Sequence, residues 1–186
     1  MSESDQEMFV AGLVLDPASN APIVILKNSQ GDVCLPIWIG LAEATAIASA
    51  LKNVDLARPM THDLMTNILD ELEARVVQIR IKGLQENTFL ADIDLAIGEV
   101  SKAVDARPSD AIALAVRVNA PIMVASAVLD QAQVQLVIDE NTGEELPPTA
   151  RVESTEFVAE NFANIDEEKW AEILDGMAPD DFKYKM

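Results

Sequence analysis

Two stretches of alternating side chains constrain this chain most. Val77, Ile79 and Ile81 alternate with Gln78, Arg80 and Lys82, and Phe89, Ala91, Ile93 and Leu95 alternate with Leu90, Asp92 and Asp94. A period of two is that of a strand with one buried and one wet face, so the middle of the chain must form sheet covered on one side. A third strand, Val100 to Val104, leads to Pro108. Proline suits the first position of a helix, where its missing N–H costs nothing. Upstream, Met8 to Leu15, Ile23 to Lys27 and Val33 to Ile39 read as three short strands. They are separated by segments 16–22 and 28–32, both rich in turn formers. After Gly40, Ala44, Ile47, Leu51 and Val54 recur at helical spacing.

The order strand, strand, strand, helix thus occurs twice, with segments 35–44 and 104–111 in equivalent places, which suggests an internal duplication. The expected class is α+β: a mixed, mainly antiparallel sheet with packed helices. A helix capped by Thr61 is extra to the repeat, and its Leu64, Met65, Ile68, Leu69 and Leu72 form one apolar stripe. Segments 121–124 and 134–138 add short strands, and the turn formers of 141–148 end the compact unit. The predicted division is a domain over 1–138 and an acidic extension over 139–186. In the extension Trp170, Ile173, Leu174 and Met177 make one amphipathic helix between Asp166 and Pro179.

One domain is the natural content of 186 residues. With 49% hydrophobic but only 4% aromatic residues, its core must be aliphatic. Cys34 is the only cysteine, which excludes an intrachain disulfide and a cysteine-based zinc site and fits a reducing cytoplasm. The first residues lack the basic and apolar runs of a secretory signal. The longest uncharged stretch, Val118 to Leu129, is shorter than the roughly 20 residues of a membrane span. A cytoplasmic protein without membrane contact is expected. The net charge of −19 opposes nucleic acid, whose non-specific binding rests on Lys and Arg, so such a partner would be held weakly. The excess is concentrated late: 9 basic and 18 acidic residues up to Ile138, 4 and 14 beyond it.

Two Arg-Pro sequences each bring an arginine to a helix start: Arg58-Pro59-Met60-Thr61-His62-Asp63 and Arg107-Pro108-Ser109-Asp110. Unpaired N–H groups at a helix start, with an adjacent guanidinium, make a phosphate cradle. The plainer explanation is that Asp63 and Asp110 serve the helix dipoles and each arginine pairs with a nearby carboxylate. Histidine exchanges protons near neutral pH, so His62, the only one, is the acid–base candidate, or else a solvated residue of a first helical turn. Glu43, Asp63, Asp105 and Asp110 offer hard oxygens that Mg or Mn would need, though carboxylates in such places commonly cap or solvate. If their strands pair, Arg80, Lys82, Asp92 and Asp94 are explained by cross-strand attraction. A Gly-rich phosphate loop, a Gly-x-Ser-x-Gly elbow and a Cys–His arrangement are all absent from the sequence.

Taken together, Leu35-Pro-Ile-Trp-Ile-Gly40 with Glu43-Ala44, then Arg58-Pro-Met-Thr-His-Asp-Leu64, then segment 105–117 with Pro121-Ile122, resemble the bifunctional nuclease domain. The match runs in order from about Met8 to Val134. The resemblance implies a compact mixed α/β domain that tends to form homodimers, with plant members that cleave both RNA and DNA. Glu43, Arg58, His62, Asp63, Arg107, Ser109 and Asp110 lie within the shared motifs. The expectation is a nuclease in which Arg58, Arg107 and Ser109 bind substrate, the carboxylates hold a divalent ion or activate water, and His62 moves a proton. The alternative is a non-catalytic module for a small anionic ligand or a protein partner, with the acidic tail docking or masking.

Overall fold

A computed structural model describes residues 5–16, 19–54, 56–135, 137–138 and 145–146. The chain opens with β1 (Gln6–Leu15), β2 (Pro22–Asn28) and β3 (Val33–Trp38), followed by α1 (Leu41–Leu51) and α2 (Thr61–Glu71). Then come β4 (Ala74–Gln85), β5 (Thr88–Ile97), β6 (Val100–Ala106), α3 (Pro108–Val118), β7 (Ile122–Val124) and α4 (Ser126–Ala132). Three two-residue strands follow: β8 (Val134–Gln135), β9 (Val137–Ile138) and β10 (Glu145–Leu146). The expected amphipathic helix around Trp170 lies outside the described residues.

The expected α+β class is what the chain adopts. Eight strands form one sheet in the order β6-β5-β4-β7-β1-β2-β3-β8, and β9 and β10 pair separately. Each trio is an antiparallel meander followed by a helix, so the repeated order is present in the fold. The two meanders meet through β7, which is antiparallel to β1 and parallel to β4, the one parallel pairing in the sheet. Tight pairing of β4 with β5 depends on Glu86 and Asn87, both left-handed as a two-residue hairpin turn demands.

The helices meet the sheet in one aliphatic cluster. Val24, Leu26, Leu35, Ile79 and Ile81 of the strands pack there with Ile47 of α1, Ile112 and Leu114 of α3 and Val128 of α4. Each such side chain contributes about 1.5–3 kcal/mol when fully buried. The alternate residues of β2, Ile23 and Ile25, join Cys34 in a second small cluster, so β2 is buried on both faces.

Four sequence expectations need correction. The simplest is the cap of α2, which is Met60 rather than Thr61. Alternation in β4 slips at Val77, where the pairing register shifts: Val77 is exposed and Val76 half-buried. A bulge inserts one residue and so moves the apolar set to the other face. The helix after Gly40 stops at Leu51 because Asn53 turns left-handed and the Val54 N–H returns to the Ser49 carbonyl. The stripe on α2 is two rows. Met65 and Leu69 pack on the core while Leu64, Ile68 and Leu72 are exposed, since α2 rests chiefly on α3 and β4. The short α4 fills a stretch that the sequence pattern leaves unassigned. Among the described residues, no helix is long and apolar enough to cross a membrane.

Candidate active site

The starts of α1, α2 and α3 share one feature: an acidic residue at the third helical position, Glu43, Asp63 and Asp110. An acid there faces the unpaired N–H groups and positive end of its helix. Packing of α3 against both α1 and α2 then brings side chains from all three helix starts together.

Arg107 caps α3 and lies at the centre of the cluster. Its Nε donates to Asp110 Oδ2 at 2.7 Å and its Nη2 to Asp110 Oδ1 at 3.1 Å, a two-pronged grip within one turn. Its Nη1 donates to Glu43 Oε1 at 2.7 Å. Glu43 is nearly buried, and any side chain at Gly40 would strike its carboxylate, so the glycine is what lets Glu43 fold over the start of α1. Half of the Arg107 side chain stays open to solvent.

His62 completes the group from α2. Only 7% exposed, it is the one buried residue of its helix, and its Nε2 lies 3.1 Å from Asp110 Oδ1. Burial alone would raise the Asp110 carboxyl. Hydrogen bonds and charge from Arg107, then from His62, outweigh it and hold the group below its ordinary value.

Asp63 belongs to a neighbouring knot. Its Oδ2 accepts the Met60 N–H at 2.9 Å and its Oδ1 accepts Arg117 Nε at 2.6 Å. Chiefly the Arg117 bond, then the Met60 N–H, keeps its carboxyl below the usual value. The remaining candidates lie elsewhere. Arg58 is exposed two residues before the cap of α2 and pairs with no described residue. Ser109 is buried at the second position of α3. Asp105 projects from β6, paired at 3.2 Å with Lys82, whose ammonium is raised by its bonds to Asp92 and then Asp105. Lys82 does bond Asp92 across the strands, but Asp94 takes Gln78 and Arg80 takes Asp5.

Of the seven motif residues, then, Glu43, His62, Arg107 and Asp110 converge, Asp63 sits beside them, and Arg58 and Ser109 do not join. Among the described residues, no three of His, Cys, Asp and Glu are grouped as metal ligands. The oxygens that Mg or Mn would want are turned to Arg107, Arg117 and Lys82, so in this arrangement the donor set does not fit a divalent ion. Sequence reasoning passed over Arg117. The available signal was a cation seven residues after Asp110, on the same face of an otherwise apolar helix.

The sequence profile of the Bifunctional nuclease domain matches residues 24–137, which span every residue of this cluster. The chain belongs to the bifunctional nuclease domain family. An uncharacterized protein of Mycobacterium tuberculosis is 40% identical over 177 residues, covering 95% of this chain and 98% of that protein. Bifunctional nuclease 1 of Arabidopsis thaliana is 32% identical over 107 residues, 55% of this chain and 33% of that protein. Bifunctional nuclease 2 of Oryza sativa subsp. japonica is 30% identical over 107 residues, again 55% and 33%. This chain therefore shares with the plant nucleases a stretch that is about a third of their length, and with the mycobacterial protein nearly the whole.

Proposed function

We propose that the chain is a nuclease that cleaves phosphodiester bonds of DNA or RNA at the His62–Asp110–Arg107–Glu43 cluster. The observation that carries this reading is the single carboxylate of Asp110 shared by His62 and Arg107. A half-buried carboxylate such as that of Asp110 orients an imidazole for proton transfer. A half-exposed guanidinium beside it supplies charge for a phosphate at the same place. In hydrolysis, His62 would take the proton of the attacking water as its oxygen bonds to phosphorus. The ester oxygen, leaving as its bond to phosphorus breaks, would take a proton from water, and His62 would give its own back to solvent. Glu43 holds Arg107 in place. Asp63, bound to Arg117, and buried Ser109 have structural work, and Arg58 would meet only a strand that extends past the cluster.

Single-stranded DNA and RNA offered to purified protein, with EDTA and with Mg or Mn, test the reading. Cleavage should fall on the order of 10²-fold or more in His62→Ala and Asp110→Asn. Equal rates in folded variants and parent would sink it. With a net charge of −19, binding should be weak and fade as salt rises.

The half-exposed Arg107 at the start of α3 favours a second reading, a non-catalytic module for a small anionic ligand. Binding of inorganic phosphate that depends on Arg107, in a protein that cleaves nothing, would select it. A homodimer is proposed with either reading. Among the described residues β6 is an edge strand of the sheet and exposes Val100 and Val104, and Val104→Lys should then yield monomers by light scattering. A monomeric parent would exclude it.

A further inference from the structure

α2 is held to the domain by little. His62 is its only buried residue, with Met65 and Leu69 half-packed behind it. Two polar contacts at its start therefore decide where it lies: His62 to Asp110, and Asp63 to Arg117. Both partners are on α3, seven residues apart, which is about 10.5 Å along the helix axis. One contact would leave α2 free to pivot about it; a second, to a residue two turns further along α3, restrains that pivot.

The second contact is the firmer. Arg117 is 9% exposed, and its guanidinium is held from several sides. Nη1 donates to the Ala46 carbonyl of α1 at 2.8 Å and to the Ala113 carbonyl of α3 at 2.9 Å. Nη2 lies 3.4 Å from Ser49 Oγ, whose hydroxyl itself bonds the Ala46 carbonyl at 3.0 Å. The cation is thus set in the α1–α3 junction, with its Nε aimed at α2. Asp63 is rigid in turn, since its other oxygen takes the Met60 N–H at 2.9 Å. His62 is the next residue back along the chain.

We infer that Arg117 is the positioning residue of this site: acting through Asp63, it fixes the crossing of α2 over α3 and so delivers His62 to Asp110. The chemical role of His62 rests on the nuclease reading above, but its placement does not. Arg117 never touches substrate in this scheme, and its effect on cleavage passes entirely through the histidine.

The single histidine gives the test a clean probe, because ring ¹⁵N spectra of the full chain contain one imidazole. Three measurements are made on Asp63→Asn and Arg117→Gln, with Asp70→Asn, exposed two turns further along α2, as control. The Nε2 resonance should move toward its position in Asp110→Asn. Amides of α2 should exchange with deuterium roughly tenfold or more faster, as expected for loss of a charge-assisted hydrogen bond, while those of α1 and α3 keep their rates in Asp63→Asn. Cleavage should fall in kcat, with KM held by Arg107. Asp70→Asn should match the parent throughout.

Arg117→Gln empties a buried position and can unfold the chain, so Asp63→Asn, at the open end of the pair, decides. An Nε2 resonance and α2 exchange rates equal to the parent's in folded Asp63→Asn would overturn the inference, even if the parent cleaves nucleic acid. If both move while the parent cleaves nothing, the positioning stands and the nuclease reading falls.

Discussion

α2 and α3 begin alike and end up in different circumstances. Each has an Arg-Pro pair at or just before its start and carries aspartate at its third position. In α3 the arginine is the cap itself, three residues before Asp110, and reaches it directly. In α2, Met60 and Thr61 are interposed, so Arg58 falls five residues before Asp63 and out of reach, and Asp63 takes Arg117 from the neighbouring helix instead. The bodies differ too: six of the eleven residues of α3 are buried, against one of α2. A motif becomes a site only where a second element faces it. α3, between α1 and α2, has faces on both sides.

The sharpest way to break that comparison is to remove the arginines in turn. Arg107→Ala takes away the group that neutralises Asp110 and Glu43 and, under the nuclease reading, the donor to the phosphate. Loss of one such donor lowers turnover about 10²- to 10³-fold. A folded Arg107→Ala protein that cleaves single-stranded DNA at the parental rate would remove α3 from the chemistry.

The second contrast is in stability. Leu114 is wholly buried on α3, and Leu114→Ala should cost about 2–5 kcal/mol in urea unfolding. Leu64→Ala and Ile68→Ala, on the open row of α2, should stay within about 0.5 kcal/mol. Large losses at Leu64 or Ile68 would mean that this row is covered in solution.

Much of this was legible beforehand, and the limits have physical causes. Alternation and turn formers marked both meanders because each strand buries residues by its own period. Adding a residue to one strand leaves composition unchanged, so the bulge at Val77 was silent. Nor can periodicity tell which row of an apolar stripe meets the core, since that depends on where the helix is placed. In the site, aspartates at helix starts were visible as caps. The plain explanation, that each Arg-Pro arginine pairs with a nearby carboxylate, holds for Arg107, whereas Arg58 pairs with no described residue and Asp63 takes Arg117 instead. Which arginine pairs with Asp63 depended on the packing of α3 across α2, the partners being 54 positions apart in the sequence.

Acid titration separates the two aspartates less strongly. Asp63 and Asp110 both have carboxyls held below their ordinary value of 3.8. The unfolded chain therefore takes up their protons at higher pH than the folded one. Their contribution is present above pH 3.8 and is lost as pH falls through the lowered folded values. Urea midpoints measured from pH 6 to pH 3 should decline, and Asp110→Asn and Asp63→Asn should each flatten the decline. A parental slope in Asp110→Asn would show that the Arg107 pair contributes nothing in solution.

Arg58 should give the smallest effect, and an informative one. With no described partner, it has no fold to support, so Arg58→Ala should leave stability within about 0.5 kcal/mol of the parent. Its one remaining use is long-range attraction for a strand, on a chain otherwise rich in negative charge. A phosphate contact there would appear in the salt dependence of binding rather than in kcat. For single-stranded substrate, the slope of log affinity against log salt should shrink by about 0.7, the counterions released by one contact. An unchanged slope would confine the substrate surface to the α3 side. A fall in kcat would place Arg58 in the cluster with Arg107, contrary to the asymmetry between the two helix starts.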